Sequence, residues 1–352
     1  MTSPNSSEPG TAQRRIQGAL ALCAVAALLV YAAWPWLPRR GSRPPRSIVV
    51  YGFSILGEAM TEGIFPSFQT QWRRQTGETV EFASSFAGSG TVTNQILLGV
   101  PADVAILALE PDAERLATGG ATSPGSWRKL PFSGVVNRTP FVILVRPGNP
   151  KKIRRFADLA RPGVAVVHPD PLTSGGANWA ILAEYGAGLR APGGSPESAR
   201  RLLSGIWRNV VAQAASARAA RTQFENGFGD ALITYEQEAA WDRSLGKLPF
   251  DVVYPESTIL SEHVAVLIER NVSPKRRRLI EEFLRFLWSE TAQRTFVRYG
   301  FRSVESRYES TGTASAAIPD AFTVESLGGW SRAKPEIIDA VWRNQVLREL
   351  HR

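Results

Sequence analysis

The sequence is short of the side chains that most often carry out chemistry. Its 352 residues include one cysteine, Cys23, and three histidines, His168, His263 and His351. A single cysteine excludes an intramolecular disulfide framework and a cysteine-built zinc site. The histidines are far apart and show no metal-ligand spacing. No G-x-S-x-G nucleophile elbow is present. His168 precedes Ser174 within one strand-and-loop segment, a poor arrangement for a serine hydrolase. Nothing calls for a cofactor, and the expectation is a protein that is not an enzyme. Charge is less informative than the formal +9 suggests, because residues 1–46 hold six Arg and one Glu and leave only +4 to the other 306. The basic balance therefore belongs largely to the tail and does not argue for nucleic acid. A hydrophobic content of 43% with 21% charged residues excludes a disordered chain and suffices for a large core or two modest ones.

One long apolar run is present near the amino terminus. After Arg14 and Arg15, the stretch IQGALALCAVAALLVYAAWPWLP (16–38) has 23 residues and no charge; about 20 suffice to cross a bilayer as a helix. Trp34 and Trp36 stand at its far end, where amphipathic rings favour the membrane interface. A cleavable signal has a shorter apolar region and a small-x-small exit, so the segment is expected to be an uncleaved anchor. Leu22 before Cys23 makes a poor lipoprotein site. Residues 1–15 then form a cytoplasmic tail and 39–46 a Pro/Gly/Arg linker. The more basic downstream flank argues for a body kept inside; the family argument below outweighs it.

From Ser47 onward, short apolar runs alternate with amphipathic segments. Strands are expected at 47–53, 79–86, 103–109, 140–150, 163–169, near 229–235 and, last, at 263–269. Helices are expected over 56–76, from about Thr91, after Gly176 and over 274–289. This alternation implies an α/β protein with mostly parallel sheets, which bind ligands where strand ends open into helices. Three small-residue loops fall at such places: Ser89-Gly90, Ser174-Gly175-Gly176 and the turn 215–218. A helix start has unpaired N–H groups and partial positive charge, so it attracts an anion. Small residues also make plain turns and caps, and composition alone leaves both readings open.

The segments SSFAGSGTVTNQILLGVPADVAILAL, RPGNPKKIRRFADLARPGVAVVHPDPLTSGGANWAILAEYG and FENGFGDALITYEQEA resemble the periplasmic sulfate/thiosulfate-binding proteins of ABC importers. SEHVAVLIE, YGFRSV and FTVESLGGW are similar too, in the same order. The resemblance spans roughly residues 50–335. It implies a two-lobed Venus-flytrap fold, a type II periplasmic binding protein, that closes on a dehydrated tetrahedral oxyanion held by N–H groups, serine hydroxyls and one indole rather than by cations. Ser89 resembles the first-lobe serine, and Ser174, Gly175 and Gly176 match the second-lobe anion loop. Ala217 or Arg218 stands near a backbone donor. Lobe one is expected at 47–138 plus 262–352 and lobe two at 139–261. Two departures are visible. Gly52, Phe53, Ser54 and Ile55 replace the family's first loop, where an N–H or the Ser54 hydroxyl can donate, and Tyr235 replaces the indole. A phenol both donates and accepts, so hydrogen phosphate stays open beside sulfate and thiosulfate. The expected partners are that anion, an ABC permease and, through 16–38, the membrane; the expected place is the periplasmic face, as a monomer. A tethered anion sensor is the alternative job, and a hydrolase the remote one. His168 is read as a strand-end residue without a ligand role, Asp230 as a turn brace, and Glu236 and Glu238 as solvated or helix-start carboxylates.

Overall fold

A computed structural model of the chain describes residues 46–309 and 317–350, together with Leu20, residues 24–29, Tyr31 and Ala32. The chain divides into two units, Met1–Pro44 and Pro45–Arg352. The described residues of the first are helical and exposed. Among the described residues, no helix is long and apolar enough to cross a membrane. The rest of the expected 16–38 anchor, the 1–15 tail and residues 39–45 of the linker lie outside the described residues. Arg46, expected to close the linker, opens the first strand.

The second unit is built on ten strands among its described residues: β1 (Arg46–Phe53), β2 (Val80–Ala87), β3 (Val104–Leu107), β4 (Val135–Val145), β5 (Val166–Pro169), β6 (Val210–Ala214), β7 (Ala231–Tyr235), β8 (Asp251–Val253), β9 (Ser257–Leu267) and β10 (Asp320–Phe322). They run in the order β2-β1-β3-β9-β4-β7-β5-β6, with β10 beside β9 and β8 beside β4. VAIL in β3 is buried at every position, as a strand covered on both faces requires. The sheet is mixed rather than mostly parallel. β1, β2 and β3 pair in parallel, as do β5, β6 and β7, but β9 is antiparallel to β3 and β4, and β4 to β7 and β8. The reason is that the chain passes between two half-sheets twice, in opposite directions. β4 pairs with β9 up to Pro140 and with β7 from Phe141. β9 returns, pairing with β4 and then, from Val264, with β3.

The helix expected over 56–76 is three pieces: a 3₁₀ turn Ser54–Leu56, a wide-turned π segment Ala59–Ile64 and an α-helix Phe65–Thr76. Pro66 explains the break, since it has no N–H for the carbonyl four residues back. The region after 263–269 holds one more strand, β10, and a helical tail from Trp330 to Leu350 that lies on the helices Gly175–Arg190 and Pro196–Arg208. Trp330 meets Trp179 edge-on at 4.7 Å, Trp342 meets Trp207 at 5.0 Å, and Arg190 lies 3.9 Å over Phe322. Glu349 accepts from the Ser204 hydroxyl at 2.8 Å and pairs with Arg200. Such aromatic contacts add about 0.5–1.5 kcal/mol each beyond burial.

His263 sits on β9 where the two passages run side by side, wholly buried, its Nδ1 2.6 Å from Asn137 Oδ1 on β4. Burial lowers its pKa from 6.5 to about 3. Below pH 6.5 the unfolded chain therefore takes up a proton that the folded chain refuses. This group's contribution to stability is complete above pH 6.5 and is lost as pH falls toward 3, by up to about 1.4 kcal/mol per unit. Urea unfolding at pH 7, 6 and 5 should show a steeper loss for the native chain than for His263→Gln, which keeps a donor for Asn137. Equal slopes would rule the imidazole out as the source.

Candidate functional site

Three helices of nine or more residues begin close together: Ser89–Leu97, Gly175–Arg190 and Ala217–Glu225. Each follows a parallel strand and opens on a small residue, Ser89, Gly175 or Ala217. The closeness is measurable at Gly88, the cap of the first helix. A methyl group there would lie within 2.5 Å of the carbonyl oxygens of both Thr173 and Ala215. Gly90 N–H donates to Thr173 O at 3.1 Å, and Trp179 Nε1 donates to Ala108 O at 2.6 Å, so the loops are also bonded across the gap. A Cβ on Gly175 would meet Ala108 Cβ at 2.7 Å and Ser89 Cβ at 3.0 Å. The first N–H groups of a helix have no acceptor within it, so the converging starts point several donors and three partial positive charges into one small region.

The residues singled out from sequence are placed as follows. Ser89 is buried at the first helix start, but its hydroxyl is already engaged: it donates to Asp112 Oδ2 at 2.6 Å and accepts from Ala108 N–H at 3.1 Å. Its backbone N–H remains the group at the helix start. Ser174 is the cap residue of the second helix and is buried; its own N–H donates to Asp170 O at 2.8 Å. Gly175 and Gly176 form that helix's first turn. Ala217 opens the third helix, whose cap Ser216 accepts from Ala219 N–H at 3.1 Å. Ser54 starts the 3₁₀ turn that packs against this third helix. Gly52 faces the Phe86 ring, where a Cβ would stand 2.9 Å away, rather than another member of the set.

Tyr235, at the end of β7, completes the group. Its ring packs on Phe141 at 4.6 Å and Phe53 at 6.2 Å. The hydroxyl is fully buried, has no hydrogen-bond partner among the described residues, and lies 2.9 Å from where a Cβ on Gly176 would stand. Burial, with the Glu238 charge added, pushes its pKa well above the usual phenol value, so the group keeps its hydrogen. A buried hydroxyl left unpaired costs about 1–3 kcal/mol. This one is aimed at the first turn of a helix.

Sequence reasoning missed the charges around this region. Arg218, weighed only as a backbone donor, is a bridge: its guanidinium donates to Glu58 at 2.5 and 3.1 Å and to Glu238 at 2.8 Å. Burial alone would lower the Arg218 pKa; Glu238 and Glu58 outweigh it and raise it. Burial of Glu58 is likewise outweighed, by Arg218, and its pKa is lowered. The pattern of the sequence could not show that a residue 160 positions away supplies the partner. Glu236 and Glu238 stand at a helix start as expected but are buried, not solvated. Glu236 pairs with Arg302 at 2.9 Å, and Glu238 also accepts from Thr234 Oγ1 at 2.8 Å. Asp112 is raised by burial, offset in part by Ser89 and Arg115. Asp230 braces a turn by accepting from Ala165 N–H at 2.9 Å. Among the described residues no cluster of His, Cys, Asp or Glu could hold a metal ion. A cavity of about 230 Å³ opens beside the region, lined by Asp112, Arg115, Thr173, Asn178, Lys334 and Arg343 among others. Ser174 and Gly175 line it too, while Tyr235, Gly176 and Ala217 do not, so it reaches the cluster at the start of the second helix.

Residues 48–302 match the family model described as bacterial extracellular solute-binding protein. The sulfate-binding protein of Synechococcus elongatus is 32% identical over 309 residues, covering 87% of this chain and 88% of that one. The thiosulfate-binding protein of Pseudomonas aeruginosa is 33% identical over 287 residues, covering 80% and 86%. Among solved structures, the sulfate-binding protein SubI of Mycobacterium tuberculosis matches with a TM-score of 0.75 at 28% identity, over 83% of this chain and 99% of that one.

Gly88 has φ −56° and ψ 138°, a conformation any residue adopts. Only the two facing carbonyls forbid a side chain there. Gly88→Val should therefore leave the thermal midpoint of the ligand-free chain within a few degrees of native and hold the loops apart. Small-angle scattering should give a larger radius of gyration for the variant. An unchanged radius would mean that the loops yield and do not set the spacing.

Proposed function

The chain belongs to the bacterial extracellular solute-binding proteins, and we propose that within this family it is the sulfate or thiosulfate receptor of an ABC importer. Its fold is the two-lobed periplasmic-binding-protein fold, with a mixed sheet flanked by helices. The observation that carries the ligand reading is the Tyr235 hydroxyl, buried and without a partner against the first turn of Gly175–Arg190. A tetrahedral oxyanion supplies the missing acceptor. The same anion accepts from the N–H groups of Ser89, Gly175, Gly176 and Ala217, with Ser54 or the Gly52–Ile55 backbone adding donors from the first lobe. Relatives named for sulfate and thiosulfate support that class of ligand.

In this reading the lobes run 47–138 with 262 onward, and 139–261, with β4 and β9 as the passages. The tail from Asp320 is the exception, since its aromatic residues rest on second-lobe helices. The anion binds the donors of one open lobe; closure adds those of the other and expels water, giving the shape a permease reads. Arg218 then acts across the gap, not on the ligand, because both its faces are taken by carboxylates. The protein is a receptor and not a catalyst, acts as a monomer, and works on the periplasmic side. The uncharged run 16–38 supports a tether that keeps it near its permease.

Calorimetric titration with sulfate, thiosulfate, phosphate and molybdate at pH 6 and pH 8 tests this. Sulfate or thiosulfate should bind, with the same affinity at both values. Tyr235→Phe should weaken binding by about 10- to 100-fold, the worth of one hydrogen bond to a charged group. Phosphate preference would mean that the phenol oxygen accepts a hydrogen bond from a ligand that keeps a proton. Silence for all four anions would sink the proposal.

A further inference from the structure

Two ionisable side chains in the core behind the Gly175–Arg190 helix start play no part in the arrangement above. His168, at the end of β5, and Glu184, on the helix Gly175–Arg190, are both wholly buried. His168 Nε2 faces Glu184 Oε1 at 3.4 Å, and neither atom has another partner among the described residues. The other half of each group is already committed. His168 Nδ1 is 2.6 Å from the carbonyl oxygen of Pro169. A carbonyl only accepts, so Nδ1 carries a hydrogen. Glu184 Oε2 accepts from Trp207 Nε1 at 3.2 Å. With no hydrogen in the 3.4 Å gap, two lone pairs would face each other in a dry interior beside an uncompensated charge. With one hydrogen there, held on either atom, the pair is neutral overall and both atoms are satisfied.

The position of the pair gives it a task. His168 is the residue before Pro169, where β5 turns into the loop 170–174. Glu184 lies nine residues beyond Gly175 on the helix that this loop feeds. The two therefore tie the strand entering the loop to the helix leaving it. Trp207 holds both, with its ring 4.6 Å from the imidazole and its N–H on the carboxyl group, and Trp342 of the carboxyl-terminal tail packs on Trp207. The geometry points to a role for His168 and Glu184 as positioning residues: a bridge of one hydrogen that fixes residues 170–176 in the arrangement an oxyanion requires. The inference rests on the reading of that loop as an anion site.

The test titrates the full chain and its variants with sulfate by calorimetry and records the thermal midpoint of the same samples. Glu184→Gln reproduces the neutral bridge, its amide N–H donating to His168 and its oxygen accepting from Trp207. Its affinity should stay within about twofold of native. Glu184→Leu leaves His168 Nε2 and Trp207 Nε1 unpaired and lets the loop shift; its affinity should fall about tenfold or more. A Leu variant that binds like the native chain, with only a lower midpoint, overturns the inference, as does a Gln variant as weak as Leu. If Glu184→Leu does not fold, nitrogen NMR of His168 in the native chain decides. Nδ1 should be protonated and the ring signals should move on saturation with sulfate; signals that stay still overturn the bridge. No heat from the native chain with sulfate, thiosulfate, phosphate or molybdate overturns the anion reading and this inference together. Heat from the native chain with an unaffected Leu variant overturns this inference alone.

Discussion

With no side chain at Gly88, the carbonyls of Thr173 and Ala215 come so close that even a methyl group there would lie within 2.5 Å of both. The geometry of the cleft follows from that approach. Because the turns before three helices meet at this point, the helix starts at Ser89, Gly175 and Ala217 face one another. The N–H groups they leave unpaired then collect in one place. Gly175 repeats the device, with no room for a Cβ beside Ala108 and Ser89. Two small residues thus do what a larger pair could not: they let backbone, rather than side chain, form the wall.

A wall of backbone donors treats charge differently from a wall of cations. Arg218 is near the cluster, yet its charge is spent on Glu58 and Glu238, and this trio carries a net negative charge. An anion gains nothing from it by simple attraction. What remains is the partial charge of oriented peptide dipoles and one phenol that has no other use for its hydrogen. Such donors are fixed in number and direction, so they favour an anion whose oxygens all accept. In the proposed site, selectivity follows from which hydrogens find acceptors, with the Arg218 charge held by its carboxylates.

Much of this was legible in the sequence, and what was legible shares a physical cause. Gly and Ser at a strand end followed by an amphipathic run mark a turn into a helix start, and Ser89, Gly175 and Ala217 all stand at one. The apolar runs at 103–109 and 163–169 became β3 and β5, buried at every position because both faces are covered. The direction of β4 and β9 was not legible, since periodicity tells which residues form a strand and not which way its neighbour runs. The π segment before Pro66 could have been suspected from that proline. Partners distant in sequence were beyond reach: Glu58 for Arg218, Asp112 for Ser89, and Glu184 for His168. Glu236 and Glu238, expected as solvated or helix-start carboxylates, do stand at a helix start; their burial was out of reach for the same reason, since the arginines that meet them, Arg302 and Arg218, lie elsewhere in the chain.

Those distant partners also explain how a cleft lined by bare backbone keeps its shape. Backbone walls have no side chains of their own to lock them, so the restraint must come from behind. Ser89 is held by Asp112 and Ala108, the strand end at Pro169 by His168, and the turn before Ala217 by the Ser216 cap. At Ser89 the restraint uses the polar atom that would otherwise have been free to reach a ligand. The hydroxyl of Ser89 is the clearest case, since its donor and acceptor roles are both filled from within the protein. Tyr235 is the exception among these groups, with a phenol fixed by ring packing alone and its polar end left open. A side chain oriented entirely by apolar contacts can give its one hydrogen to a ligand without disturbing the restraints that hold the rest.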